Sequence, residues 1–251
     1  MDVLTWMRLP GLAGLGGLLL MGCAPEPCGD ALICRWMDHP LEEPPMLAVT
    51  YGTSLTADGA WVSAVSVELD TQYPDAVSFE NTAESARFSG WGLENFDERV
   101  LAHAPDILFI EFAVNDAYLP YETSVAQSRA NMETMLDRVA SDYPDCSVVL
   151  IVTNHVIGAG AEVRPALADY YAEVRLIGAE RDLLVIDEEP AWRLLHERAP
   201  DVFDVLVPDG LHPTYEGHDR MNRPLILDAL EGIETEHGAL VDQVIAATPL
   251  P

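Results

Sequence analysis

The sequence predicts an α/β domain, a mostly parallel sheet with helices on both of its faces. Three observations predict it. Short apolar runs alternate along the chain with longer stretches of helical spacing. Those runs are apolar throughout rather than at every second residue, as strands buried on both faces must be. The 251 residues, 49% hydrophobic and 22% charged, suffice for one core of ordinary size and are neither a disordered nor a fibrous composition.

In chain order, Met46 to Tyr51 is an apolar run closed by Gly52, which reads as the first strand. Gly59 to Leu69 has helical spacing, with Trp61, Val62, Val65 and Val67 among its apolar positions. Ala76 to Phe79 reads as a second strand and Gly92 to Ala102 as a helix. Ile107 to Phe112 is a buried strand between Pro105-Asp106 and an Asn115-Asp116 turn. Glu122 to Tyr143 is a helix with Met132, Met135, Leu136 and Val139 on one stripe, a core face rather than a cofactor box. Cys146 to Val152 follows as a strand, Ala166 to Arg181 as a helix and Leu183 to Ile186 as the last strand. Glu189 to Arg198 and Tyr215 to Glu234 read as closing helices. The domain is expected over residues 46–236, with 237–251 as a tail. Ligands of such sheets bind beyond the carboxyl ends of the strands. Ser54 after the first strand and Asn115 after the third then emerge on that one edge.

The net charge is −29, from 42 acidic against 13 basic residues. Such a surface repels phosphate backbones and excludes a nucleic-acid partner. The acids are scattered rather than grouped as ligands, and no Cys/His pattern has metal-binding spacing, so no metal and no cofactor are expected.

The first residues form a separate unit. Leu9 to Met21 carries no charge and is shorter than the roughly 20 residues of a membrane span. It fits the apolar stretch of an export signal, residues 1–22. Leu20-Met21-Gly22-Cys23 resembles a bacterial lipobox, whose cysteine is lipidated. The resemblance implies acyl chains on Cys23 and a protein exported and anchored to the cell envelope without spanning the membrane. Residues 23–45, rich in Pro and acids, read as a tether. In an oxidising compartment a disulfide between Cys28 and Cys34 is expected, and Cys146 reads as a small buried hydrophobe.

The chemistry is carried by Tyr51-Gly52-Thr53-Ser54-Leu55-Thr56 and by Asp209-Gly210-Leu211-His212-Pro213. A serine hydroxyl becomes a nucleophile when a histidine takes its proton, and a carboxylate fixes that histidine's tautomer. Ser54 is the nucleophile on this reading, His212 the base and Asp209 the orienter. The competing roles are a helix cap for Ser54, a surface loop for His212 and a turn residue for Asp209. Thr56 and Asp58 could cap the next helix and leave Ser54 free. The order Ser, Asp, His is neither chymotrypsin-like nor subtilisin-like, and no G-x-S-x-G elbow surrounds Ser54. His155, after the fourth strand, is expected to line the pocket, and His218 to pack structurally; His39, His103, His196 and His237 read as surface positions.

These blocks resemble the SGNH, or GDSL-type, esterases and lipases. Gly52-Thr53-Ser54-Leu55 stands where that family has Gly-Asp-Ser-Leu, Ala113-Val114-Asn115-Asp116 where it has Gly-x-Asn-Asp, and Asp209 to Pro213 keeps Asp-x-x-His-Pro. Between Asn81 and Gly92, Ala86 takes the place of the family's glycine. The resemblance implies a three-layer α/β/α sandwich with a flavodoxin-like sheet, and an oxyanion hole from the Asn115 amide and the N–H groups of Ser54 and Ala86. Thr53 in place of aspartate removes a carboxylate near the serine, Ala113 in place of glycine narrows the room behind Asn115, and Asp116 braces the turn. The loop from Asn154 to Pro165 reads either as part of an acyl pocket or as a plain connection. The implied reaction is hydrolysis of short-chain or O-acetyl esters, such as those of acylated carbohydrate, through a Ser54 acyl-enzyme. Two alternatives stay open: acyl transfer on the same fold, and a lipid-anchored binding protein with a decayed site.

Overall fold

The computed structural model describes residues 31–37 and 44–250. Five parallel strands, β1 (Met46–Tyr51), β2 (Val77–Asn81), β3 (Ile107–Ile110), β4 (Ser147–Val152) and β5 (Leu184–Asp187), lie in the order β2-β1-β3-β4-β5. The helices in chain order are α1 (Leu32–Met37), α2 (Ser54–Ala57), α3 (Trp61–Gln72), α4 (Ser89–Glu94), α5 (Phe96–Arg99), α6 (Ala113–Asp116) and α7 (Val125–Asp142). They continue as α8 (Gly158–Glu162), α9 (Leu167–Arg181), α10 (Glu189–Arg198), α11 (Pro200–Leu206), α12 (Tyr215–Gly217), α13 (Arg223–Leu230) and α14 (His237–Ala247).

Alternation of side chains along each strand sorts the core into two layers. Val49, Tyr51, Leu108, Ile110, Leu150 and Val152 face one way, under Phe96, the α7 stripe of Met132, Met135, Leu136 and Val139, and Val174 and Ile177 of α9. Met46, Ala48, Ile107, Phe109, Ile151 and Ile186 face the other, against Trp61, Val62, Val65 and Leu69 of α3 and Ile226 and Leu230 of α13. This is the parallel sheet covered on both faces that the alternation predicts, and the three-layer α/β/α sandwich that the resemblance implies. Each fully buried aliphatic side chain contributes roughly 1.5–3 kcal/mol of transfer free energy. Continuing the same alternation, Thr50, Glu111 and Glu188 fall at the carboxyl ends of β1, β3 and β5 on the α3/α13 face, all buried. The hydrophobic layer therefore ends in a polar one just beneath the expected site.

Several elements depart from the sequence reading. The stretch from Gly92 to Ala102 is not one helix: α4 ends at Glu94, and the Asn95 side chain donates to Trp91 O at 2.9 Å, competing with the helical ladder before α5 begins. α7 starts at Val125 rather than Glu122 because the Ser124 hydroxyl caps it, accepting from Gln127 N at 3.1 Å. Residues 237–247, expected as a tail, form α14, whose Leu240, Val241 and Val244 are buried with Trp192, Leu195 and Phe203 of α10 and α11. Within the expected tether, α1 packs Ile33 and Cys34 into the α3/α13 layer. Cys34 is disulfide-bonded, and its partner lies outside the described residues. The expected signal segment, Cys23 and Cys28 also lie outside them. Cys146 packs half-buried against the α7/α9 layer, as a small hydrophobe does. Among the described residues no helix is long and apolar enough to cross a membrane.

Candidate active site

Ser54 is the first residue of α2, and the cap is its neighbour. The Thr53 hydroxyl accepts from Leu55 N at 3.2 Å. Neither Thr56 nor Asp58 caps α3, whose N-cap is Ala60; Thr56 instead turns its hydroxyl inward to Glu111, and Asp58 accepts from Ser85. With capping taken over by Thr53, the Ser54 hydroxyl is left to face His212, Oγ to Nε2 at 3.0 Å.

Asp209 makes both kinds of contact weighed for it. Its Oδ1 accepts the N–H groups of Leu211 at 2.9 Å and His212 at 2.7 Å, closing the turn, while Oδ2 lies 2.7 Å from His212 Nδ1. A proton on Nδ1 donated to Asp209 leaves the Nε2 lone pair for the serine proton. Burial tends to raise the Asp209 pKa, but the hydrogen bonds from His212 and Leu211 outweigh it and hold the carboxyl below its ordinary value. The turn is fixed from outside by the β4–α8 connection. Asn154 Nδ2 donates to Leu211 O at 3.0 Å and Ile157 N to Gly210 O at 2.9 Å. Gly210 is required there: its φ is +76°, and a Cβ would stand 2.7 Å from Ile157 O.

Asn115, buried at the end of α6, donates through Nδ2 to Arg87 O at 2.8 Å and accepts through Oδ1 from Arg164 Nη2 at 3.3 Å. One N–H of its carboxamide stays uncommitted. Ala86 adopts φ 58°, the left-handed conformation open to glycine, and Tyr121 OH holds its carbonyl at 2.8 Å. Among the described residues no acceptor engages the main-chain N–H of Ser54 or of Ala86. Asp116 braces this region, Oδ1 accepting Ser89 N at 2.7 Å and Oδ2 accepting the Ser128 hydroxyl. Leu55, Val114 and Leu211, each next to one of Ser54, Asn115 and His212, meet Val156 and Ala161 of the β4–α8 region in a small apolar cluster. The loop from Asn154 to Pro165 is thus more than a plain connection. The site is open: the His212 and Asp209 side chains keep 44% and 54% of their exposure.

One expectation is overturned. Thr53 does not leave the serine turn without a carboxylate, because Glu111 reaches across from the end of β3. Its Oε1 accepts Thr53 N at 2.6 Å, Thr53 Oγ1 at 2.9 Å and Thr56 Oγ1 at 3.0 Å. A Cβ at Gly52 would lie 2.3 Å from that oxygen, so the approach depends on glycine. Burial raises the Glu111 pKa to about 7 against the lowering pull of those donors. A glutamate inside the apolar run Ile107 to Phe112 was the signal for it. His155 also departs from expectation. Its Nδ1 is 3.4 Å from Glu189 Oε1 and its ring packs on His196 and Phe203, so it belongs to the α10/α11 side. His218 is buried, as expected for a structural residue. Among the described residues no group of three or more His, Cys, Asp or Glu could hold a metal.

Comparison with known proteins bears on the family and the fold. The sequence pattern of the GDSL-like lipase/acylhydrolase family matches residues 49–220. No curated protein matches the chain. Among solved structures, a GDSL-like lipase candidate from Parabacteroides merdae superposes with a TM-score of 0.68 at 16% identity, covering 75% of this chain and 96% of that one. An acetylxylan esterase from Geobacillus stearothermophilus gives 0.65 at 19% identity, with 76% and 97% covered. A lipase/acylhydrolase from Enterococcus faecalis gives 0.63 at 24% identity, with 74% and 96% covered. At these identities the likeness speaks for the fold, and the family follows from the sequence pattern over most of the chain: this protein belongs to the GDSL-like lipase/acylhydrolase family of serine ester hydrolases.

Proposed function

We propose that the protein hydrolyses short-chain or O-acetyl esters through an acyl-enzyme on Ser54. The observation that carries this reading is the unbroken relay from Ser54 Oγ through His212 to Asp209, at 3.0 and 2.7 Å. Ser54 Oγ attacks the ester carbon while His212 Nε2 takes its proton. The carbonyl oxygen, now negative, meets the N–H groups of Ser54, Ala86 and Asn115. Collapse of the tetrahedral intermediate breaks the bond to the alcohol, which leaves with the proton from Nε2. Water then attacks the acyl-enzyme, gives a proton to Nε2, and the acid departs as the proton returns to Ser54.

An acylated carbohydrate is the substrate class we favour. The open site leaves room for a bulky alcohol, and one protein of like fold is an acetylxylan esterase. The lipobox-like Leu20 to Cys23 supports export and anchoring at the cell envelope. Diacylglycerol on Cys23, read by intact mass of the membrane-extracted protein, is the expected result; a mature N-terminus elsewhere sinks the anchor.

The test of the chemistry is labelling with a fluorophosphonate probe followed by peptide mapping. An adduct on Ser54 that is lost in His212→Ala is expected, together with hydrolysis of p-nitrophenyl acetate that Ser54→Ala abolishes. A folded protein that forms no adduct favours the binding-protein alternative instead.

A further inference from the structure

Arg164 is a buried cation without an anion. It is 8% exposed, yet among the described residues no carboxylate pairs with it, in a chain holding 42 acidic residues. Every other arginine between residues 44 and 250 is paired with an acid. The exception points into the site. Arg164 Nε donates to Val114 O at 2.7 Å, Nη1 to Gly160 O at 3.1 Å and Nη2 to Asn115 Oδ1 at 3.3 Å, and its guanidinium lies 4.9 Å from the centroid of the Tyr118 ring. The main chain fixes it there, since Arg164 N donates to Ala161 O and the adjoining Val163 O accepts Leu119 N.

Neutral carbonyl oxygens take up three of the five N–H donors of this guanidinium but do not neutralise its charge, which is costly in a buried place. A residue needed only to tie α8 to α6 gains nothing from that charge. Acyl transfer does gain, because new negative charge arises at the Asn115 carboxamide as the tetrahedral intermediate forms. The guanidinium also fixes the carboxamide: a flipped Asn115 would set its NH2 group against Arg164, donor against donor.

We infer that Arg164 is a positioning residue of the ester hydrolase, orienting and polarising the Asn115 carboxamide and lending its charge to the oxyanion site through it. This rests on the esterase reading above. Polarisation along the hydrogen-bonded chain strengthens the free Asn115 N–H as a donor.

The experiment is a double-mutant cycle on the full chain with p-nitrophenyl acetate, measuring kcat, KM and the melting temperature of each variant. Arg164→Met in a folded protein is expected to lower kcat about 10- to 100-fold with KM little changed, less than the direct loss of an oxyanion donor can cost. Arg164→Lys keeps the charge but cannot bridge all three acceptors, and is expected to lose about threefold to tenfold. In an Asn115→Ala background either change should cost less than about twofold, because the route through the carboxamide is already gone. Should Arg164→Met fail to fold, Arg164→Lys carries the cycle. Hydrolysis that needs Ser54 but is unmoved by the folded Arg164 variants overturns the inference alone. So does a loss of the same size with and without Asn115, the mark of a merely structural residue. Wild-type hydrolysis that survives Ser54→Ala overturns the esterase reading and this inference with it.

Discussion

Glu111 Oε1 lies 2.6 Å from the main-chain nitrogen of Thr53, so a carboxyl group just past the end of β3 holds the residue before Ser54, just past the end of β1. The same oxygen also gathers the hydroxyls of Thr53 and Thr56. Where the family has an aspartate in the serine block, this chain has a threonine on the block and an acid opposite it. The exchange keeps one carboxylate against the turn but moves it to β3.

That arrangement predicts that restoring the family residue harms the protein. Thr53→Asp would set a second buried carboxylate against Glu111 and remove a hydroxyl donor. The expected cost is about 3 kcal/mol or more in stability, with at least a tenfold loss of kcat. Combining it with Glu111→Gln should recover most of both, since one charge then remains and the amide can donate to it. Denaturant unfolding and steady-state kinetics on the two variants decide it; additive losses in the pair would sink the account.

A second expectation concerns pH. Burial raises Glu188 to about 8, with Glu111 nearby pushing it further and the Asn222 amide, 2.6 Å away, pulling it down. Glu111 is raised to about 7. Both folded-state values exceed the ordinary carboxylate value of 4.5. Their contribution is therefore complete below about pH 4.5 and is lost as pH rises through about 7 and 8. Carboxyls held low, such as Asp209 and Glu84, lose their contribution toward acid and do not disturb that window. Buried His218, held down to about 4 by burial, opposes this below about pH 6.5 with one proton against two. Melting temperature should accordingly fall from pH 5 to pH 9, more steeply above about pH 6.5, and Glu188→Gln should flatten the slope. Parallel curves for the two proteins would reject the assignment.

Ala86 carries strain that glycine would remove. At φ 58° its Cβ crowds the backbone, at a cost of roughly 1–2 kcal/mol. Part of that returns as the greater freedom of glycine in the unfolded chain. Ala86→Gly is expected to stabilise by up to about 1 kcal/mol and to leave kcat within about twofold, because the donor there is the main chain. A lower melting temperature in the variant would show that the alanine methyl makes a contact worth more than the strain.

The parts of this molecule legible in the sequence are those where a local signal and the long-range outcome agree. β1, β3 and β4 are apolar on both faces because both faces are covered, and Asp209-Gly210 closes its turn wherever it is placed. What escaped depends on packing. Residues 199–207 carry no element in the sequence reading, yet Pro200 opens α11, its missing N–H being one that no helix start uses. Leu240, Val241 and Val244 make a helical stripe too short to stand out without the Trp192 and Phe203 surfaces that cover it. Glu111 and Arg164 are single charged residues in apolar or loop segments. Their meaning lies in the residues they meet, Thr53 and Asn115, which are 58 and 49 positions away in the chain.

Asp209 allows its two duties to be separated. In Asp209→Asn the Oδ1 atom can still accept from the N–H groups of Leu211 and His212, so the turn should hold and the melting temperature change little. The NH2 group, however, now faces His212 Nδ1, which must present a lone pair, and the ring proton moves to Nε2. Facing Ser54 with a proton rather than an acceptor, His212 cannot act as base, and kcat is expected to fall roughly 10³- to 10⁴-fold. Asp209→Ala loses the acceptor for both main-chain groups as well. It should add a destabilisation of about 1–3 kcal/mol, or several degrees in melting temperature. An asparagine variant that keeps more than a tenth of the wild-type kcat would mean that the carboxylate only braces the turn. An asparagine variant that loses activity at an unchanged melting temperature assigns the loss to the tautomer, because the turn it leaves intact cannot account for it.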